Sequence, residues 1–252
     1  MDNLTLNIPE SNTIQERLAS VHEKIALACK KSGRKPDSVR LVAVSKRQSP
    51  ELIRAAYSAG LRSFGENYLE EAREKMEALA DLKDIQWEMI GHVQSRKAKA
   101  VANSFHRVHS LDSEKLARLF NQARETGKGP LEVLVEVNVS GEESKSGLMA
   151  LEPGSWPKIL EIVQNVRALP RLRLTGLMCM PPLVTDMEAN RPYFQKTRQL
   201  LSYINENLPG INLTELSMGT SSDFPVAIEE GATIVRIGEA LLGPRPTKKE
   251  NN

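Results

Sequence analysis

The sequence predicts an α/β fold, a single closed (β/α)8 TIM barrel with one extra helix at its N-terminus. Three observations lead there. Short apolar runs alternate with longer amphipathic stretches eight times along the chain. The length of 252 residues suits one such barrel. Polar, reactive or glycine residues follow every apolar run, where a barrel of this kind holds its chemistry. An open doubly wound sheet is the alternative allowed by the same alternation.

Each element has its own local warrant. Residues 1–12 read as a flexible polar extension, 13–245 as the barrel unit and 246–252 (PTKKENN) as a flexible tail. Ile14, Leu18, Val21, Ile25 and Ala28 recur at three- and four-residue spacing, which predicts a helix over 14–31 closed by Ser32-Gly33. The run VRLVAVSK then gives a strand over 40–45, and Ser49-Pro50-Glu51 starts a helix that ends at Gly60. Further strands are expected at 61–64, 86–90, 106–109, 131–138, 172–178, 213–217 and 233–237. Helical patterns occupy 67–80, 94–103, 113–126, 155–168, 188–207 and 223–230. No change of composition marks a second domain.

Composition narrows the function. Lys+Arg 34 against Asp+Glu 32 gives +2 with the signs interspersed, and aromatics are only 4%, so nucleic-acid binding is not expected. The densest basic cluster, Arg96-Lys97-Ala98-Lys99, reads as a solvated helix face. Two distant cysteines and four scattered histidines give no metal-ligand spacing, and they suit a reduced, cytoplasmic chain. No stretch has the length and apolarity of a membrane span or an export signal. With no exposed apolar stripe evident, a monomer is the expectation.

Two motifs carry chemistry. After the seventh strand, Ser217-Met218-Gly219-Thr220-Ser221-Ser222-Asp223 combines glycine, hydroxyls and a helix start, and Arg236-Ile237-Gly238 repeats the glycine turn after the eighth. Loops seven and eight are where this fold tends to hold a phosphate. Asp223 reads as a cap, since a carboxylate would repel the anion. The other motif is Lys46, which ends the first strand and points to a mouth whose opposite wall is this cradle. A partly desolvated lysine forms a Schiff base with an aldehyde. Pyridoxal phosphate needs this pairing of lysine and phosphate cradle, and a sugar-phosphate aldolase fits it equally.

The segments AVSK at 43–46, FGENYLEEAREK at 64–75, IGHVQSRK at 90–97, VNVSGEESKSG at 137–147, GLMCMPP at 176–182 and MGTSSDFPVAIEEGATIVRIGEALLGPR at 218–245 resemble the pyridoxal phosphate homeostasis proteins, the proline-synthetase co-transcribed family. The resemblance runs from Ile14 to Arg245 in one order. It implies a barrel similar to the N-terminal domain of alanine racemases, without their second domain. It also implies that Lys46 is the Schiff-base lysine, that Ser217, Gly219, Thr220, Ser221 and Gly238 hold the phosphate, and that Arg236 lies near the pyridine nitrogen. By the same resemblance Asn67 and His92 line the mouth. Two departures stand out: Thr220, where the family commonly has methionine, and about ten extra residues before the first helix.

An arginine beside the ring nitrogen disfavours its protonation and weakens the cofactor as an electron sink. Racemases offset this with paired acid and base groups, one a tyrosine from the missing domain. Tyr57, Tyr193 and Tyr203 fall in predicted helices, and only Tyr68 is near the mouth. The expectation is therefore a non-catalytic carrier or regulator of the cofactor, serving cofactor-dependent apoenzymes or a regulatory protein. A racemase-like amino-acid enzyme is the alternative. Cys179, Trp87 and Trp156 read as packing residues. The loop 140–147 reads equally as a flap over the mouth and as a plain exposed loop.

Overall fold

In the computed structural model, which describes residues 13–244, the chain starts with α1 (Ile14–Lys31). The extension expected over 1–12 and the tail expected over 246–252 lie outside the described residues. Thr13 closes a capping box on α1. Its hydroxyl accepts from the Glu16 N–H at 3.3 Å, and Glu16 Oε2 accepts from the Thr13 N–H at 2.7 Å. The apolar stripe of α1 buries Val21, Ile25 and Cys29 against the outside of the barrel.

Eight parallel strands make the barrel: β1 (Arg40–Val44), β2 (Ser63–Glu66), β3 (Gln86–Met89), β4 (Arg107–Leu111), β5 (Leu131–Asn138) and, after the two-residue β6 (Leu148–Met149), β7 (Leu172–Cys179), β8 (Glu215–Ser217) and β9 (Ile234–Ile237). β1 pairs with both β2 and β9, and β4 pairs with β5, so the sheet closes on itself. An open doubly wound sheet would leave two edges, and closure excludes it. Between strands run α2 (Pro50–Ser58), α3 (Leu69–Ala78), α4 (Ala98–Ser104), α5 (Glu114–Ala123), α6 (Trp156–Arg167), α7 (Arg191–Asn207) and α8 (Phe224–Glu229), with α9 (Glu239–Leu242) after β9. Among the described residues, no helix is long and apolar enough to cross a membrane.

The differences from the sequence expectations are local. The second strand begins at Ser63 rather than 61, because the Leu61 N–H bonds back to Ala56 O at 3.1 Å and Gly60 takes φ 104°. Leu61 therefore completes the cap of α2. The segment 140–147 is an irregular, largely exposed loop held by side-chain bonds. It turns back so that β6 pairs with β5 (Val137 with Leu148), and Asn138 Oδ1 accepts from the N–H groups of Ser140 and Gly141 at 3.2 and 2.9 Å.

Two cores result. The larger lies between barrel and helices and buries all five phenylalanines, each ring stabilising by roughly 1.5–3 kcal/mol. Trp87 packs on Phe64 with ring centroids 5.9 Å apart and Trp156 on Tyr203 at 5.4 Å, as packing anchors. The smaller core, Val42, Leu134, Met178 and Ile234, is separate from the first and draws on β1, β5, β7 and β9. The remaining buried groups that meet across the barrel are largely polar, and they lead to the mouth.

Candidate functional site at the barrel mouth

Lys46 follows β1 directly and is half-buried. Its backbone setting is firmly held. Ser45, fully buried, donates its hydroxyl to Glu66 Oε1 at 2.7 Å, and its carbonyl accepts from Lys75 Nζ at 2.6 Å. Lys75, 4% exposed, also donates to Glu66 Oε1 at 2.7 Å and Glu71 Oε1 at 2.5 Å. Glu71 in turn accepts from the Arg47 N–H, and Arg47 sits at φ 60°. A left-handed residue costs about 1–2 kcal/mol for a non-glycine side chain, so the turn after Lys46 needs these bonds to hold it. Burial pushes the Glu66 carboxyl above its ordinary range, against the pull of Lys75 and Ser45.

The cradle takes shape in the turn after β8, two strands from β1. Gly219 has φ 91°, and a Cβ there would lie 2.7 Å from Ala227 Cβ and 2.8 Å from Phe224 Cα, so only glycine fits. Asp223 Oδ1 accepts from the Thr220 N–H at 2.7 Å and from its hydroxyl at 3.1 Å, while Oδ2 accepts from Asn190 at 2.8 Å. Asp223 thus occupies the N-cap position of α8, but its side chain braces the Thr220 turn and Asn190 and makes no cap bond to the helix. Ser221 Oγ accepts from the Gly238 N–H at 3.2 Å and so ties the seventh loop to the eighth. β1 and β9 are partners, with Ala43 opposite Ile237, so Lys46 rises beside this tied turn.

Asn67 follows β2 as Lys46 follows β1, two residues beyond the paired Val44 and Gly65. Its Oδ1 is buried with no hydrogen-bond partner. Gly91 permits this approach, since a Cβ would lie 2.4 Å from Asn67 O. Asn67 and His92 line one cavity with Tyr68, whose ring is exposed. His92 Nδ1 is 2.9 Å from Asp112 Oδ2.

Arg236 points into the barrel and is 3% exposed. Nη1 donates to Ser217 O at 2.7 Å and Ser217 Oγ at 2.6 Å, and Nη2 donates to Cys179 O at 3.0 Å and contacts Met180 Sδ at 2.8 Å. The Ser217 hydroxyl therefore faces the barrel interior. It meets His109 Nδ1 at 2.8 Å, and His109 Nε2 lies 2.6 Å from Glu88 Oε2. β4 and β8 are not neighbours in the sheet, so this contact crosses the barrel. Burial lowers the pKa of His109 and keeps it neutral. Burial would raise Glu88, but the His109 hydrogen bond with the Arg40 and Arg107 charges holds it at about 2. Arg236 has only donors, so the Ser217 hydroxyl gives its proton to His109 Nδ1, and His109 gives Nε2–H to Glu88. A carboxylate is thereby relayed to the buried arginine.

Three groups at the mouth or inside the barrel were not singled out from sequence: the Glu66–Lys75 pair, the Glu88–His109 relay and Glu136. Their signals are charges on faces that should be apolar. Lys75 falls on the stripe of α3 that buries Leu69 and Ala72, and Glu136 interrupts the buried run of β5. Burial, with the nearby charge of Asp112, raises Glu136 to about 7, and Arg236 opposes the shift. Cys179 is fully buried, its thiol raised by burial to about 11, which fits a packing role. Among the described residues, no group of three or more His, Cys, Asp or Glu side chains is arranged to hold a metal.

The family described as alanine racemase, N-terminal domain, matches residues 17–246. The pyridoxal phosphate homeostasis protein of Pseudomonas aeruginosa is 44% identical over 234 residues, 93% of this chain and 96% of that one. The chain belongs to the pyridoxal phosphate homeostasis protein family. A second member, from Aquifex aeolicus, is 42% identical over 91% of this chain and 97% of its own length. Among solved structures, PipY of Synechococcus elongatus with PLP bound is 33% identical, with a TM-score of 0.80 over 92% of this chain and 100% of that one. Alanine racemase from Corynebacterium glutamicum shares the fold, with a TM-score of 0.63 at 16% identity over 92% of this chain and 63% of its own. Members of the homeostasis family therefore span the barrel alone.

Proposed function

We propose that this chain binds pyridoxal 5'-phosphate at the barrel mouth through a Schiff base to Lys46. In this reading it acts as a monomer in the cytoplasm, as a carrier or regulator in vitamin B6 and amino-acid homeostasis, without turning over a substrate. The observation that carries the reading is the juxtaposition of half-buried Lys46 with the Ser221–Gly238 turn on the adjoining strand. The donor set suits the cofactor: the amides of Gly219 and Ser221 and the Ser221 hydroxyl for a phosphate, and the buried, unpartnered Asn67 Oδ1 as an acceptor beside the lysine. The family names and the PLP-bound relative point the same way.

When bound, the cofactor supplies an aldehyde for a lysine amine and a pyridine ring that can withdraw electrons. The chain's own residues limit that chemistry. Arg236 is locked by four contacts and carries positive charge, which disfavours a proton on a nearby ring nitrogen. The Ser45–Glu66–Lys75 network fixes the backbone from which Lys46 extends. A carrier would release its cofactor to apoenzymes or signal its occupancy to a regulatory protein. The protein mixed with pyridoxal phosphate should show a visible band near ~420 nm that Lys46→Ala removes. A protein that stays colourless with added cofactor contradicts the reading.

One observation favours a racemase-like enzyme instead. Glu136, buried on β5 and raised by burial to about 7, is the group that would exchange a proton at neutral pH. Incubating the loaded protein with L-alanine in deuterated water separates the two readings. Rapid exchange at Cα that Glu136→Gln abolishes supports the enzyme, and its absence supports the carrier.

A further inference from the structure

At the end of the barrel away from the mouth lies a second charged cavity, of about 290 Å³, that the cofactor does not use. Its lining comes from strand starts: Arg40 opens β1, Arg107 opens β4, His106 precedes it, and Glu132 is second on β5. Arg124 and Lys128 complete the wall from the loop before β5.

Most of these charges are committed. Arg107 donates to Glu215 at 2.5 Å and also to Glu132. Lys128 Nζ lies 3.2 Å from Glu125 and donates to Asn103 O at 2.9 Å. Arg124 spends its donors on the carbonyls of Ala102, Phe105, Lys128 and Gly129, and no carboxylate hydrogen-bonds it among the described residues. Arg40 is different. Its Nε and Nη2 are buried and have no hydrogen-bond partner, and the nearest carboxylate oxygen, Glu88 Oε2, is 3.6 Å from Nη2 and bonded to His109.

Those two nitrogens share the outer edge of the guanidinium, the fork that takes two oxygens of a carboxylate or phosphate at once. Buried donors are almost always satisfied, so this pair calls for an acceptor. His106 adds another donor. Its Nδ1 accepts from the Trp87 N–H at 3.1 Å, which leaves the proton of the neutral ring on Nε2. The space is small for a nucleotide and ample for an inorganic or small organic anion.

We propose that the N-terminal end of the barrel binds a small oxyanion, phosphate or carboxylate, on the outer edge of Arg40. The site is independent of the cofactor reading, since it lies at the opposite end of the barrel from Lys46 and Ser221, although Glu88, which also lines it, belongs to the relay behind Arg236. Occupancy would also reach Glu88, the first link of the relay that ends at Arg236.

The test is calorimetric titration of inorganic phosphate, and separately of malonate, into protein preloaded with pyridoxal phosphate, in a buffer free of other oxyanions. Saturable binding that weakens about tenfold or more in Arg40→Gln is expected, and the stronger of the two anions identifies the chemistry. Ser221→Ala keeps the assignment distinct from the mouth. Binding that survives Arg40→Gln but is lost in Ser221→Ala belongs to the cofactor cradle and overturns the proposal. A chain that takes up no cofactor yet binds phosphate through Arg40 upholds it while the cofactor reading fails. Should Arg40→Gln not fold, the wild-type protein decides. Phosphate should raise its melting temperature where sodium chloride of equal ionic strength does not, and equal effects of the two salts, with no saturable heat, would mean that water alone satisfies Arg40.

Discussion

Arg40 and Arg236 lie on neighbouring strands, each one pairing away from the other's register: Arg40 opposite Ile234, and Arg236 opposite Val42. Both guanidiniums belong to the polar interior, yet they are finished differently. Arg236, at the mouth, is saturated by Ser217, Cys179 and Met180 and backed by the His109–Glu88 relay. Arg40, at the opposite end, keeps an unfilled edge. The Arg236 guanidinium at the mouth is held in place before any ligand arrives, so it needs no ordering on binding. The opposite end stays incomplete until something enters.

Perturbing the mouth should therefore shift stability measurably, in a direction set by the group removed, and perturbing Arg40 should not. The largest effect is expected from Lys75→Met, which strips a buried carboxylate of its cation. A loss of about 3–5 kcal/mol should appear as a lower urea midpoint, and a change under 1 kcal/mol would mean the turn at Lys46 stands without the pair. Glu136 comes next. Its carboxyl is easier to protonate folded than unfolded, so its contribution is complete below about pH 4.5 and gone once pH passes about 7. Glu136→Gln should then match the parent near pH 4 and exceed it by about 2–3 kcal/mol at pH 8, and parallel pH profiles would refute the assignment. Ser217→Ala should cost about 1–2 kcal/mol, since Arg236 keeps the Ser217 carbonyl but His109 loses its donor. Restoration by Ser217→Thr would tie the effect to the hydroxyl. Smallest of all, Arg40→Gln in anion-free buffer should stay within ~0.5 kcal/mol of the parent, and a larger loss would close the gap between the two ends.

The strand–helix alternation was legible because buried parallel strands and amphipathic helices leave different periodicities. Closure was legible only through the count of eight units in this length, because the β4–β5 and β1–β9 pairings join segments that nothing local links. The glycine-and-hydroxyl turn at 217–223 and the place of Lys46 at a strand end were legible because such residues at strand ends have few structural uses. Ser217 shows the limit. Its position was evident, but its hydroxyl turns inward to Arg236 and His109, and only the fold shows which strand faces it. Lys75 was hidden for a similar reason, since a lysine in EEAREK looks like any solvated helix residue until α3 is docked.

Lys75 flanks the same turn as Lys46 and carries the same functional group. All three N–H bonds of the Lys75 ammonium are committed, to Ser45 O, Glu66 and Glu71, which leaves no lone pair for a carbonyl compound. Chemoselectivity among lysines is thus written into the packing. A borohydride trap after brief exposure to an aldehyde should leave the peptide bearing Lys75 unlabelled, and that peptide would serve as an internal standard for every other amine on the protein.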